Sequence, residues 1–254
     1  MAVPLRLVSN QPVSNPLVTR LCGYVPLSAD EIASLEAALE RRLLLKKRRD
    51  VILEGYESHR LHVVVSGFAA RYKLLANGKR QVISILFPGD IIGMPSAFFP
   101  SSRYSVTTLS DMTLQVLRLG AFLGLCRRVP ALAIAMLWYS GHEVATYADR
   151  IIDVGRRSPL ERIAHFVIEM HARLRSAGCA EARSFDLPLS QEIIGDLLGL
   201  SAPHVNRMLH QLKAERLISV DRHRVTIDDP EGLQLLAQFE APSPLAPVGT
   251  FAHA

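Results

Sequence analysis

The stretch LSQEIIGDLLGLSAPHVNRMLHQLKAERLI, residues 189–218, constrains the fold more than any other part of the chain. Ser190 precedes a short run in which Ile193, Ile194, Leu197 and Leu198 share one helical face; a serine there accepts from the open N–H groups of the first turn. Gly199 ends the run, since glycine takes the left-handed conformation that closes a helix. Ser201 then caps a second helix, and Pro203 sits in its first turn, where a missing N–H costs nothing. Val205, Leu209 and Leu212 turn inward, leaving Ala202, His204, Asn206, Arg207 and His210 outward or flanking. Two short helices joined by a glycine-containing turn, the second polar near its start, make a helix-turn-helix. LISVDRHRVTI (217–227) follows as a short hairpin with Arg222, His223 and Arg224 at or near its tip. The predicted assembly is a winged helix-turn-helix, against the plainer alternative of a helical hairpin that binds nothing. Over 201–224, Arg207, Lys213, Arg216, Arg222 and Arg224 face only Glu215 and Asp221, so positive charge gathers where phosphate contacts would lie.

The whole chain, 254 residues with 49% hydrophobic and 21% charged, is long and apolar enough for one large or two ordinary globular domains. Its net charge of +5 permits an anionic partner without requiring one. Cys22, Cys126 and Cys179 are widely spaced and form no CxxC or Cys/His cluster, so no metal site is expected. Buried free thiols in a reducing cytosol are the simpler expectation. No apolar run reaches the ~18–20 residues of a membrane span. The start, MAVPLRLVSNQPVSNP, lacks the pattern of a signal peptide and reads as a loose arm.

Other elements follow from periodicity. Ser28 and Glu31 form a capping box for a helix carrying Ile32, Leu35, Leu39 and Leu43. The basic run 41–50 is expected to close that helix, as cations favoured at its C-terminus, or else to contact nucleic acid. From 51 to 119 the period changes to two: LHVVVSG, FAARYKLL, RQVISILF, YSVTTLS and MTLQVLRL predict short strands of a sandwich or barrel. Asn77-Gly78 predicts a two-residue hairpin in which both residues tolerate positive φ. A long helix is predicted from about Ala131 to Gly155. Ile134, Leu137, Gly141, Val144, Ala148 and Ile151 form a heptad seam along it, either for a parallel dimer or for packing on the chain's own β-domain. Ser158 and Pro159 restart the chain as a further helix, with a hinge at 154–158.

At this point the chain resembles the Crp/Fnr family of bacterial transcription regulators over about residues 20–235. The resemblance rests on the order of parts, on FPGDIIG (87–93), on RIAHFV (162–167), and above all on residues 189–218. It implies an α+β chain: a flexible arm (1–25), an N-terminal β-roll sensor domain of the cyclic-nucleotide-binding, jelly-roll kind (26–129), a long dimerisation helix (130–155), a C-terminal winged helix-turn-helix (156–232), and a disordered tail (241–254). It further implies a cytoplasmic homodimer that binds double-stranded DNA, works with RNA polymerase and does not engage a membrane. Ser190 and Ser201 match family helix caps that touch phosphate, and Arg207 matches an arginine that reads DNA. Ala202 and Pro203 replace the Arg-Glu pair of the cyclic-AMP-binding members, so His204 and Asn206 become the candidate base readers. Gln191, Arg222 and Arg224 complete the expected DNA-binding set.

The sensor region departs from the cyclic-AMP pattern. Gly93-Met94 stands where those members have Gly-Glu, Tyr104 separates Arg103 from Ser105, and Tyr147-Ala148 replaces a Thr-Ser pair on the long helix. The candidate effector pocket is therefore Gly93, Met94, Arg103, Ser105 and Tyr147, with cyclic AMP disfavoured. An iron–sulfur cluster is disfavoured because Cys22 stands alone near the N-terminus. Haem ligation by His59, His62 or His142 stays open, a lone histidine being more often structural. No other cofactor is identified, and no P-loop, zinc motif or nucleophile elbow suggests an enzyme. The competing class, a cyclic-nucleotide-binding signalling module without a DNA role, predicts an intact sugar and phosphate cassette, which is absent.

Overall fold

Ser28 caps the helix expected of it, but that helix is short. The computed structural model describes residues 15–57, 60–94 and 96–239. In it, a first helix, α1 (Pro16–Cys22), precedes α2 (Ala29–Ala38), whose capping box joins Ser28 Oγ to the Glu31 N–H and Glu31 Oε2 to the Ser28 N–H. The chain then enters a strand, β1 (Leu39–Leu45), instead of continuing the helix. Leu39 and Leu43 fit helical spacing, but antiparallel pairing with the later strand β8 (Met112–Arg118) prevails, placing Leu43 opposite Leu114 and Leu45 opposite Met112. The basic run 41–50 therefore lies on a strand and the following turn, and its expected place at a helix C-terminus is corrected. In that turn Lys46 and the Lys47 N–H both engage Asp111.

The five predicted strands appear as β3 (Arg60–Ser66), β4 (Ala69–Leu74), β5 (Arg80–Leu86), β7 (Ser105–Thr108) and β8, and two short strands join them that the sequence reading did not name, β2 (Asp50–Ile52) and β6 (Ile91–Ile92). They form two four-stranded sheets of order β1-β8-β3-β6 and β2-β7-β4-β5. The turn between β4 and β5 differs from the expected two-residue form. Gly78 N–H bonds Leu75 O and Leu75 N–H bonds Lys79 O, and Gly78, not Asn77, takes positive φ. Asn77 instead accepts the Lys79 N–H on its side chain.

Helix α3 (Leu119–Arg128) and the 26-residue α4 (Pro130–Gly155) follow β8. The described residues divide into two compact units. One holds the residues up to Lys73 and Ile85–Tyr139; the other holds Leu74–Ser84 and the residues from Ser140 onward. The first unit's core joins Leu17 and Leu21 of α1, Leu35 of α2, Phe122 and Leu125 of α3, and Leu132 and Tyr139 of α4 to Leu61, Val63, Ile91 and Leu117 of the first sheet. Beside it the FPGD turn is fixed by a buried ion pair. Asp90 accepts the Phe87 N–H and pairs with Arg20, whose guanidinium lies over the Tyr139 ring.

The second unit contains α5 (Pro159–Ser176), β9 (Ser184–Asp186), α6 (Gln191–Leu198), α7 (Ala202–Ala214), β10 (Ile218–Asp221), β11 (Arg224–Ile227) and α8 (Pro230–Ala237). Its three strands run in the order β10-β11-β9. Ile163, Phe166, Val167, Met170 and Leu174 of α5 are buried in it. The break between α4 and α5 falls at the predicted hinge and is braced. Asp153, wholly buried, accepts from Arg150 (2.8 Å) and Arg157 (2.7 Å), and Arg150 reaches on to Glu169 of α5 (2.6 Å). Burial by itself would raise both carboxyl pKa values; His165 and the arginines around Asp153, and Arg150 and Arg173 around Glu169, outweigh it and hold both below the usual range.

The cysteines are free thiols; Cys22 and Cys126 are half-buried, while Cys179 is exposed rather than buried as expected. The expected arm, apart from residues 15–25, and the expected tail 241–254 lie outside the described residues, as does His59. His142 is half-buried on α4, and no group of three or more His, Cys, Asp or Glu among the described residues is arranged to hold a metal ion.

His62 is a core histidine. Alternation along β3 puts it on the face opposite Leu61 and Val63, across from Val116 and Ile92 of neighbouring strands. Burial, reinforced by Arg60, pushes its pKa down from 6.5 to about 4. Below pH 6.5 the unfolded chain takes up a proton that the folded chain refuses, so stability falls between pH 6.5 and about 4, by roughly 3 kcal/mol from this group. Urea unfolding across that range should show a shallower decline for His62→Leu than for the wild type; parallel curves would contradict it.

Candidate nucleic-acid interface

The helix-turn-helix forms where the local chemistry places it. Ser190 Oγ accepts the Ile193 N–H at 3.3 Å, and Gly199 closes α6 in the left-handed conformation at φ 67°. The turn also depends on Gly195, which spacing alone did not single out. A Cβ there would stand 2.4 Å from the Leu200 carbonyl oxygen, so only glycine lets the chain fold back so closely. Pro203 lies in the first turn of α7 as expected. Ser201 occupies the N-cap position but makes no side-chain cap bond, which corrects the expectation of a capping hydroxyl. Its side chain is exposed.

Val205 and Leu212 are fully buried, and Leu209 is half-buried against the same core. On the other faces of α7, Arg207 and His210 are exposed and Ala202, His204 and Asn206 are half-exposed. Arg207 has no hydrogen-bond or ion-pair partner among the described residues. Asn206 and His210 face the wing across a crevice of about 280 Å³, whose rim also carries Lys213, Arg222 and His223. Gln191 of α6 borders the same crevice, and no acidic residue lines it.

The wing is the hairpin β10–β11, with Asp221 opposite Arg224 and Arg222-His223 at the turn. Arg222 takes a positive φ of 53° and is exposed. The His223 carbonyl accepts the Leu187 N–H at 2.6 Å, which ties the wing tip to the strand before α6. Arg224 departs from its expected role. Its guanidinium pairs with Glu181 and with Asp186 (3.7 Å) and donates to Ser184 Oγ (2.8 Å). The hydrogen bond to Glu181 raises the arginine's pKa and lowers that of the glutamate. Arg224 thus fastens the wing to β9 and to Glu181, while Arg222 is the exposed cation at the turn.

Of the sequence-predicted effector residues, Gly93, Met94, Arg103 and Ser105 lie in the first unit and Tyr147 in the second. Gly93 takes φ 97°, and a Cβ there would lie 3.0 Å from the Arg60 carbonyl oxygen. Met94 packs in the first unit's hydrophobic core, where a sugar-binding carboxylate would be required. Ser105 Oγ accepts the Glu54 N–H at 3.0 Å and is buried, whereas Arg103 is exposed beside Pro100 and Ser101. Tyr147, in the second unit, donates to Glu143 one turn earlier on α4. The seam residues Ile134, Leu137, Gly141, Val144, Ala148 and Ile151 are all exposed, Leu137 at 73%, Val144 at 65% and Ile151 at 71%. No single helix among the described residues is long and apolar enough to cross a membrane.

Comparison with known proteins agrees with this architecture. Residues 42–129 match the cyclic nucleotide-binding domain family and residues 161–236 the Crp-like helix-turn-helix domain family. The chain is 32% identical over 180 residues to the transcriptional activatory protein AadR of Rhodopseudomonas palustris, covering 70% of this chain and 73% of that one. It is 26% identical to the nitrogen fixation regulation protein FixK of Azorhizobium caulinodans, covering 83% and 86%. The solved structure of FixK2 from Bradyrhizobium japonicum superposes with a TM-score of 0.71 at 25% identity, covering 79% of this chain and 98% of that one. By name, the first of these relatives is a transcriptional activator and the second a regulator of nitrogen fixation. The β-domain, the long helix and the winged motif thus occur together as one inherited arrangement, and the chain belongs to the Crp/Fnr family of transcription regulators.

Proposed function

We propose that the chain acts as a cytoplasmic homodimer that reads a near-palindromic DNA site and works with RNA polymerase. The observation that carries this reading is the free, exposed Arg207 on α7, flanked by His204 and Asn206 and facing solvent next to an acid-free crevice. In the proposed complex α7 enters the major groove. Arg207 offers paired donors suited to guanine O6 and N7, and Asn206 suits adenine. His204 and Ala202 adjoin the bases, while Ser190, Gln191, Ser201 and Arg222 meet the phosphates. Residues 26–129 form the sensor domain, 130–155 the dimerisation helix and 156–232 the DNA-binding domain. The sensor domain either takes an effector other than cyclic AMP or an iron–sulfur cluster, or takes none. Met94 and Ser105 speak against cyclic AMP, and the isolation of Cys22 near the N-terminus speaks against the cluster.

Selection from random duplex DNA by the purified full chain tests the reading. The expected product is a two-fold symmetric site with half-sites about 34 Å apart, one helical turn. Absence of enrichment, both alone and with metabolite extract from cells, would overturn it. On the selected site, Arg207→Ala should cost about 1–3 kcal/mol and relax discrimination at one base pair. An equal loss on every sequence would assign Arg207 to phosphate instead.

The dimer rests on the exposed apolar seam of α4. Leu137, Val144 and Ile151 recur every seven residues, with small Gly141 and Ala148 between them to let two helices approach. Sedimentation equilibrium should give twice the 28.1 kDa chain mass for the wild type and the single-chain mass for Val144→Asp combined with Ile151→Asp. A dimer that survives this double substitution would place the interface elsewhere.

A further inference from the structure

Gly199 stops helix α6, but the helix's last carbonyls are held by side chains from distant parts of the chain. The last carbonyls of a helix have no partner within it and carry the negative end of its dipole. In α6 the carbonyls of three consecutive residues, Asp196 to Leu198, are met by side chains from elsewhere in the second unit. Gln81 Nε2 donates to Asp196 O at 2.7 Å and to Leu197 O at 3.4 Å, and Arg162 Nη1 donates to Leu198 O at 3.1 Å. Arg80, next to Gln81, places Nε and Nη2 on Asp196 Oδ2 at 2.8 and 2.6 Å. Both partners of that pair are about two-thirds buried, with side-chain exposures of 32% and 31%.

Arg80 and Gln81 open strand β5, immediately after the turn set by Gly78. That turn is closed on both sides, by Leu75 N–H to Lys79 O and by Asn77 Oδ1 to the Lys79 N–H, so the two side chains leave a defined backbone. Their contacts leave the outer face of α7 uncovered, since Arg207 and His210 remain exposed. Gly195 and Gly199 couple α6 to α7 with no slack in the turn between them. Holding the end of α6 therefore also sets the direction of α7.

We infer that Arg80 and Gln81 are positioning residues for DNA recognition, fixing the helix-turn-helix in its reading orientation through Asp196 and the C-terminal carbonyls of α6. The inference rests on the DNA-binding reading given above and adds to it two residues more than 100 positions from the motif. Arg80→Ala in the full chain should weaken binding to the site selected by the wild type about tenfold, while binding to unrelated duplex stays unchanged. A residue that merely stabilised the fold would lower both together, in step with the folded fraction. Exchanging the pair, Arg80→Asp with Asp196→Arg, should restore most of the specific affinity, and the cycle of Arg80→Ala with Asp196→Ala should be strongly non-additive. Additive losses, unchanged specific affinity, or tighter binding by Arg80→Ala would each overturn the inference. A wild-type chain that selects no site would count instead against the DNA-binding reading. In that case hydrogen exchange of α6 in the Arg80→Ala chain still decides the structural part: faster exchange supports the hold on α6, and unchanged exchange refutes it.

Discussion

A carboxylate with no access to water must be matched by cations or it will not stay in the fold, and at Asp153 this requirement organises half of the molecule. Asp153 stands near the end of a 26-residue helix, where the chain is about to break and restart. Arg150 from the preceding turn and Arg157 from within the break close on it, and Arg150 continues to Glu169, which Arg173 also holds. The two acids and three arginines lie across the junction of α4 and α5. Removing Asp153 leaves the buried Arg157 guanidinium without its carboxylate, at a cost on the order of 3–5 kcal/mol. The junction is consequently a braced corner, and Arg162 extends the bracing by donating to the Arg157 carbonyl and to the end of α6.

The Arg20–Asp90 pair serves the first unit in the same manner. It fastens α1 to the FPGD turn, where Asp90 also accepts the Phe87 N–H. Gly89 within that turn has φ 90°, and a Cβ there would stand 3.0 Å from the Pro16 carbonyl oxygen. The motif that marks the family in sequence is, in this chain, the seat of its N-terminal helix.

The parts of the fold written in local chemistry are legible in the amino-acid sequence itself. Capping serines, the proline of α7, Gly199 and the two-residue period of the strands each act within a few residues, and each produces the expected element. Two of the misreadings come from interactions between distant residues. Leu39 and Leu43 satisfy a helical period, and only pairing with Leu117 and Leu114 makes them strand residues. Arg224 reads as a wing-tip cation until Glu181 and Asp186 are brought beside it. Ser201 sits where a cap belongs, but its side chain makes no cap bond. Arg80 carries no signal at all in the sequence, because its meaning lies in Asp196, 116 positions away.

The engagement of Arg224 bears on how the protein responds to ionic conditions. A guanidinium already faced by two carboxylates displaces few cations from a DNA backbone when it approaches one. Each phosphate contact that is not made removes about 0.9 from the slope of log affinity against log salt. In the proposed complex, a wing whose Arg224 is internally neutralised leaves Arg222 as its main electrostatic contribution, and a grip on DNA of that kind is less sensitive to shifts in cellular ionic strength than a count of basic residues suggests.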